Sequence, residues 1–201
     1  MRLLLFFLFY TLHSIAQDQE AKLFFKDGTT VSGYGEIKTK GFLNTKIAPK
    51  ILFRFSKDEK ADEWDYEMVD KIEFYGFEMY KTFTYVKVGD DNNIEYRLLE
   101  LITEGKVNLY LEKNEYSGSN NIQQPGSYQK WETTTYMVKK ESESKLTVLG
   151  ANKKKIAEYF KDCSGIKKKL DRNEFSIKNI KDIVEYYNDY CSDGNYIDTE
   201  E

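Results

Sequence analysis

The segment AKLFFKDGTTVSGYGEI, residues 21–37, decides how this chain is read. Two runs rich in β-branched and aromatic residues flank Asp27-Gly28, a dipeptide that tolerates the positive φ of a tight hairpin turn. Strand and turn patterns of the same kind continue outward to about residue 150. ILFRFS places Ile51, Phe53 and Phe55 on one face of a strand. IEYRLLELITEGKVNLYLEK reads as a second hairpin turning at Glu104-Gly105, and YQKWETTTYMVKK and KLTVLG complete the series. Pro49 and Pro125 fall in connections, where a sheet tolerates them. Short strands at this spacing imply an antiparallel sandwich or a partly open barrel. The segment SGSNNIQQPGS, residues 117–127, is long for a hairpin connection.

The pattern changes after Gly150. NKKKIAEYFKDC sets Ile156, Phe160 and Cys163 on one helical face, with Asn152 positioned as N-cap. SIKNIKDIVEYYNDYC carries Ile177, Ile180, Val184, Tyr187 and Cys191 at steps of three and four behind a cap at Ser176. Ile166 and Leu170 mark a short helix between them. The fold class expected is therefore α+β, mainly β, with a C-terminal helical appendage whose apolar stripes pack on each other and on the sheet.

The N-terminus has a different character. MRLLLFFLFYTLHSIAQ puts Arg2 ahead of an apolar run from Leu3 to Leu12, with Ser14 and Ala16 before a cut at Gln17, the layout of a secretory signal peptide. The run is about half the roughly 20 apolar residues that span a bilayer, and no later segment comes close, so no transmembrane segment is expected after cleavage. No cysteine stands at the cut to take a lipid anchor. The organisation expected is a signal peptide over residues 1–16, a β-rich domain over 17–150, a helical appendage over 151–191 and an acidic tail over 192–201. The mature protein is expected to be secreted or periplasmic. In such a compartment Cys163 and Cys191, the only two cysteines, each completing an apolar helical stripe, are expected to form a disulfide.

The signal ending in Ala-Gln, the segment KDGTTVSGYGEI and the paired YFKDC and IVEYYNDYC resemble the uncharacterised secreted proteins of Bacteroidota, of flavobacterial type. The chain departs from that pattern at Ser164, where proline is usual after the first cysteine. The resemblance implies export and a similar layout and carries no activity to transfer.

Composition narrows the chemistry. The formal net charge is −4, with lysines and acids interleaved, so no basic surface for nucleic acid is expected. The one histidine, His13, lies in the signal segment, which removes histidine-activated serine and cysteine nucleophiles and histidine-bearing zinc sites from the mature chain. Carboxylate chemistry survives that filter, because a glycosidase needs only two acids across a cleft. Glu63, Asp65, Glu67, Asp70 and Glu73 are the densest candidates, although acids alternating with apolar residues are also what a half-exposed sheet shows. The aromatic stretch WDYEMVDKIEFYGFEMYKTFTY, residues 64–85, could stack on sugar rings or simply pack a core. GYG, residues 33–35, lacks the following helix of a phosphate loop and reads as close backbone packing.

NDYCSDGNYIDTEE, residues 188–201, can be set in calcium-loop register, with Asp189, Asp193, Gly194 and Glu200 at positions one, five, six and twelve. Position three is then Cys191 and position eight Tyr196, both wrong for a hard-cation loop. No catalytic, cofactor-binding or metal-binding residue is assigned. The function expected is that of an exported non-enzymatic envelope protein, a binding or interaction module for a protein or glycan of the cell envelope. The alternative is a carbohydrate-binding protein or carboxylate-only glycosidase.

Overall fold

The computed structural model describes residues 19–38, 49–76, 79–88, 94–119 and 128–191. The expected signal segment over residues 1–16 and the cut expected at Gln17, residues 120–127 with Pro125, and the tail over 192–201 lie outside the described residues.

Among the described residues ten strands form one antiparallel sheet: β1 (Gln19–Phe25), β2 (Thr30–Lys38), β3 (Lys50–Arg54), β4 (Asp62–Trp64), β5 (Val69–Gly76), β6 (Met79–Val88), β7 (Glu95–Thr103), β8 (Val107–Ser119), β9 (Tyr128–Lys140) and β10 (Thr147–Val148). Their spatial order is β10-β9-β8-β7-β6-β5-β1-β2-β3-β4. Every strand belongs to the same sheet, and among the described residues that sheet stays open and does not close into a barrel.

The Asp27-Gly28 turn behaves as its sequence demands. Phe25 and Thr29 close it through Phe25 N–H donating to Thr29 O at 2.9 Å, leaving three loop residues with Gly28 at φ +87°. Asp27 Oδ1 accepts from Thr29 N at 2.8 Å and from the Thr29 hydroxyl at 2.6 Å, fixing the corner.

The β1–β5 half coils on itself without closing. Strand β4 is bonded to β3 and strand β5 to β1, four strand spacings away in the sheet order, which is roughly 19 Å if the sheet were flat. Residues 65–68 must bridge that gap, yet they are folded into a turn in which Val69 N–H donates to Asp65 O at 3.0 Å. Only a curled sheet brings the two strands together. Contacts across the curl agree: the Tyr85 hydroxyl on β6 donates to Pro49 O ahead of β3 at 2.6 Å, and Phe25 meets Trp64 edge-on at 5.1 Å. Ala21, Leu23, Ile51, Phe53, Val69, Ile72 and Phe74 fill the interior. Gly35 sits where a Cβ would approach Ile72 Cδ1 to 2.7 Å, so the GYG segment marks close packing, as its sequence suggests. Phe55 departs from expectation: it lies past the end of β3 and is 58% exposed, because the strand ends at Arg54.

The same sheet face continues into β7–β9, where helices cover it. Helix α1 (Lys153–Tyr159) is capped by Asn152, whose side chain accepts from Lys155 N at 3.0 Å. Helix α2 (Ser164–Asp171) follows, and α3 (Ile180–Tyr190) closes the layer. Ile156, Phe160, Ile166, Leu170, Ile183 and Val184 pack on Val107, Leu109 and Val138 of the sheet. Helix α3 starts later than the Ser176 cap implies. Ser176 caps a preceding turn, accepting from Lys178 N at 3.3 Å through its hydroxyl and from Asn179 N at 2.9 Å through its carbonyl. Cys163 and Cys191 are joined in a disulfide with Cα atoms 5.6 Å apart, tying the entry of α2 to the exit of α3.

Asn188 fastens this layer to the sheet. Its side-chain amide accepts from Val107 N and donates to Val107 O, both at 2.9 Å, so it pairs with β8 as a strand residue would. A Cβ on Gly105 would meet the Asn188 side chain at 2.5 Å, which explains glycine in the β7–β8 turn.

Candidate functional site

The five acids proposed from the sequence do not assemble. Glu63 lies on edge strand β4 between Lys38 and Lys50, at 2.6 and 2.9 Å. Hydrogen bonds and charge from these two lysines hold its carboxyl down at about 2. Asp65 uses Oδ1 to accept from Glu67 N at 3.0 Å, closing the link between β4 and β5. Glu67 and Asp70 are exposed. Glu73 sits apart from these on β5, only 8% exposed. Among the described residues, no two of the five share a hydrogen-bonding side chain.

The aromatic stretch divides into core and surface. Trp64 packs on Phe25, Tyr66 stacks on Tyr96 at 4.3 Å, Phe74 meets Phe83 at 5.8 Å, and Tyr85 is buried. Among the described residues of the stretch, Tyr75 and Tyr80 are the exposed aromatic residues. They are partners across the β5–β6 register, their ring centroids are 5.5 Å apart, and they are 41% and 62% exposed.

Alternation along β5 puts Lys71, Glu73 and Tyr75 on the face opposite Ile72 and Phe74. Glu73 is the hub of this face: Lys71 Nζ reaches it at 3.0 Å, the Tyr75 hydroxyl donates to it at 3.0 Å, and the Tyr80 hydroxyl bonds to the same carboxylate. Burial pushes the Glu73 carboxyl up, but the bonds from Tyr80, Lys71 and Tyr75 outweigh it and leave the group below its ordinary value, hence ionised. Burial, followed by the bond to Glu73, pushes Tyr75 up to about 12, so its hydroxyl stays a donor at neutral pH. Lys71 also lies 4.6 Å over the Phe24 ring. The result is two exposed rings held side by side over a neutralised ion pair. Such a surface offers aromatic faces for stacking and fixed polar groups for orientation. The i, i+2 spacing of Lys71, Glu73 and Tyr75 is visible in the sequence, but nothing local to it tells which face the coil of the sheet turns inward.

A second polar cluster serves the fold. The Tyr159 hydroxyl donates to Glu143 Oε2 at 2.6 Å and accepts from Lys140 N at 3.1 Å. Lys140 Nζ pairs with Asp162 Oδ2 at 2.8 Å, and the Tyr187 hydroxyl donates to the same oxygen at 2.7 Å. Burial raises the Asp162 carboxyl, yet Lys140 and Tyr187 bring it below its ordinary value. These contacts join α1 and α3 to β9 beside the disulfide.

In the calcium-loop register, Asp189 falls in the last turn of α3, while Asp193, Gly194 and Glu200 lie outside the described residues. Cys191, at position three, is committed to the disulfide. Among the described residues, no group of three or more histidine, cysteine, aspartate or glutamate side chains gathers as a metal site. Among them, too, no helix is long and apolar enough to cross a membrane.

The chain matches no protein-family model, no curated protein and no solved structure, so the site is read from its own geometry.

Proposed function

We propose that this chain is an exported, non-enzymatic envelope protein that binds its ligand through the Tyr75–Tyr80 face of the sheet. The observation that carries the proposal is the pair of exposed tyrosines fixed over the buried Glu73 carboxylate. Aromatic rings with polar tips supply contact area at low entropic cost and are characteristic of binding surfaces. The signal-like N-terminus and the Cys163–Cys191 disulfide support export to the periplasm or cell exterior, the setting implied by the resemblance to flavobacterial secreted proteins.

A glycan is the second reading, favoured by two adjacent rings that could stack on a pyranose. Hydrolysis has less support. A glycosidase acid needs a carboxyl that stays protonated near neutral pH, whereas Lys38 and Lys50 hold Glu63 ionised and the Tyr80, Lys71 and Tyr75 bonds do the same for Glu73.

Affinity capture from an envelope extract tests the proposal, with the oxidised mature chain and its Tyr75→Ser/Tyr80→Ser variant as parallel baits. A protein or polysaccharide retained by the first and lost by the second supports the tyrosine face. Equal capture by both baits contradicts it.

A further inference from the structure

Strand β9 is longer than its outer neighbour. Its thirteen residues pair along their whole length with β8, but β10 covers only Met137 and Val138 on the other side. Among the described residues, no backbone hydrogen bond outside the β8 ladder reaches residues 128–136. Every second residue of that stretch therefore turns an N–H and a C=O away from the sheet without a strand to receive them. The opposite edge of the sheet is guarded, since β4 has three residues and its Glu63 is clasped by two lysines. The 128–136 edge carries two charges in its sequence, Lys130 and Glu132, and after them three threonines and no proline.

A half-open depression of about 390 Å³ lies along this bare edge, in line with β10. Its lining sets the apolar Tyr136, Val148, Ile177 and Ile180 beside the polar Thr134 and Thr135 of β9. Lys178 is its one charged residue.

We propose that the 128–136 edge of β9 receives an extended segment of a partner protein as an eleventh strand. The partner carries an apolar side chain at every second position, toward the depression, and an acidic residue near Lys178. The bare backbone specifies an extended polypeptide, because only that supplies alternating donors and acceptors along the edge. Side-chain chemistry argues against a second copy of this chain. Paired edge to edge, a copy could answer Lys178 with Glu132, but it would set Thr134 rather than an apolar side chain at the next position on that face. This inference concerns a different surface from the tyrosine face and stands independently of it.

The test uses the oxidised full chain and a pool of nine-residue peptides with Val, Ile, Leu or Phe at alternate positions, Ser or Thr between them and one terminal Glu. A matched pool with serine at the apolar positions is the control. Retained members are expected to be enriched at least tenfold over the control and to protect the 128–136 amides from hydrogen exchange. N-methylation of their alternate amides in one of the two possible registers is expected to weaken binding at least tenfold, and Lys178→Glu at least threefold. The proposal is overturned by the absence of enrichment, or by binding that survives methylation in both registers. It is likewise overturned if these amides become protected with rising protein concentration as a dimer forms, since the occupant would then be a second copy.

Discussion

Replacing both cysteines by alanine should cost the protein about 3.6 kcal/mol. The figure follows from the sequence separation of 28 between Cys163 and Cys191, through the chain-entropy relation for a crosslinked loop at 25 °C. Cys163 is wholly buried and Cys191 7% exposed, so alanine leaves small apolar groups in place and adds no buried hydroxyl. The loop closed by the bond carries Ile166, Leu170, Ile180, Ile183, Val184 and Tyr187, which form most of the helical contribution to the core over β8 and β9. For a domain whose total stability is typically about 5–15 kcal/mol, that loss is a large fraction. At about 2–4 °C per kcal/mol for a chain of this size, the melting temperature should fall by roughly 7–14 °C. Urea unfolding followed by tryptophan fluorescence and far-ultraviolet ellipticity measures the change, with reduced wild type as a second comparison. Because the helices share a core with β8 and β9, both signals should shift together. An alanine variant that unfolds at the wild-type midpoint would refute the reasoning.

Asn188→Ala should cost about 2–3 kcal/mol in the same assay, because it strips partners from both backbone groups of Val107. Asn188→Asp should not rescue it, since an ionised carboxylate cannot donate to Val107 O. Tyr85→Phe should cost about 1–2 kcal/mol by leaving Pro49 O without its donor, and a neutral result would argue against the coil of the β1–β5 half. Glu63 has a folded-state carboxyl held at about 2 against an ordinary 4.5, so its contribution is present above about pH 4.5 and lost as pH falls toward 2. The wild type should therefore lose more stability over that window than Glu63→Gln, and parallel acid titrations of unfolding would contradict the pairing with Lys38 and Lys50.

Features set by neighbouring residues were legible in the sequence. Asp27-Gly28 makes its turn from its own φ preference and side-chain bonds, and Asn152 caps α1 three residues ahead. The apolar stripes ending in Cys163 and Cys191 implied a shared core, and the disulfide lies in it. Features requiring distant partners were not legible. The pairing of β5 with β1 depends on a coil that no local pattern encodes, and the Asn188 amide meets a strand 81 residues earlier. The helix start moved from Ser176 to Asn179 because Ser176 bonds within a separate turn. The acids over 63–73 looked like one cluster because they are close in sequence, whereas edge strand, link and open face send Glu63, Asp65 and Glu73 to different surroundings. Alternation placed Glu73 and Tyr75 on one side of β5, but whether that side is wet depends on which way the β1–β5 half coils, and it coils to bury Ile72 and Phe74.

The central claim is that the Tyr75–Tyr80 face binds an envelope component, and co-sedimentation of oxidised mature protein with the insoluble envelope fraction of its host tests it most directly. Wild type should co-sediment saturably, and Tyr75→Ser/Tyr80→Ser should bind at least tenfold more weakly while unfolding at a closely similar urea midpoint. Saturable binding of equal strength by both proteins, or none by the wild type, would contradict the account.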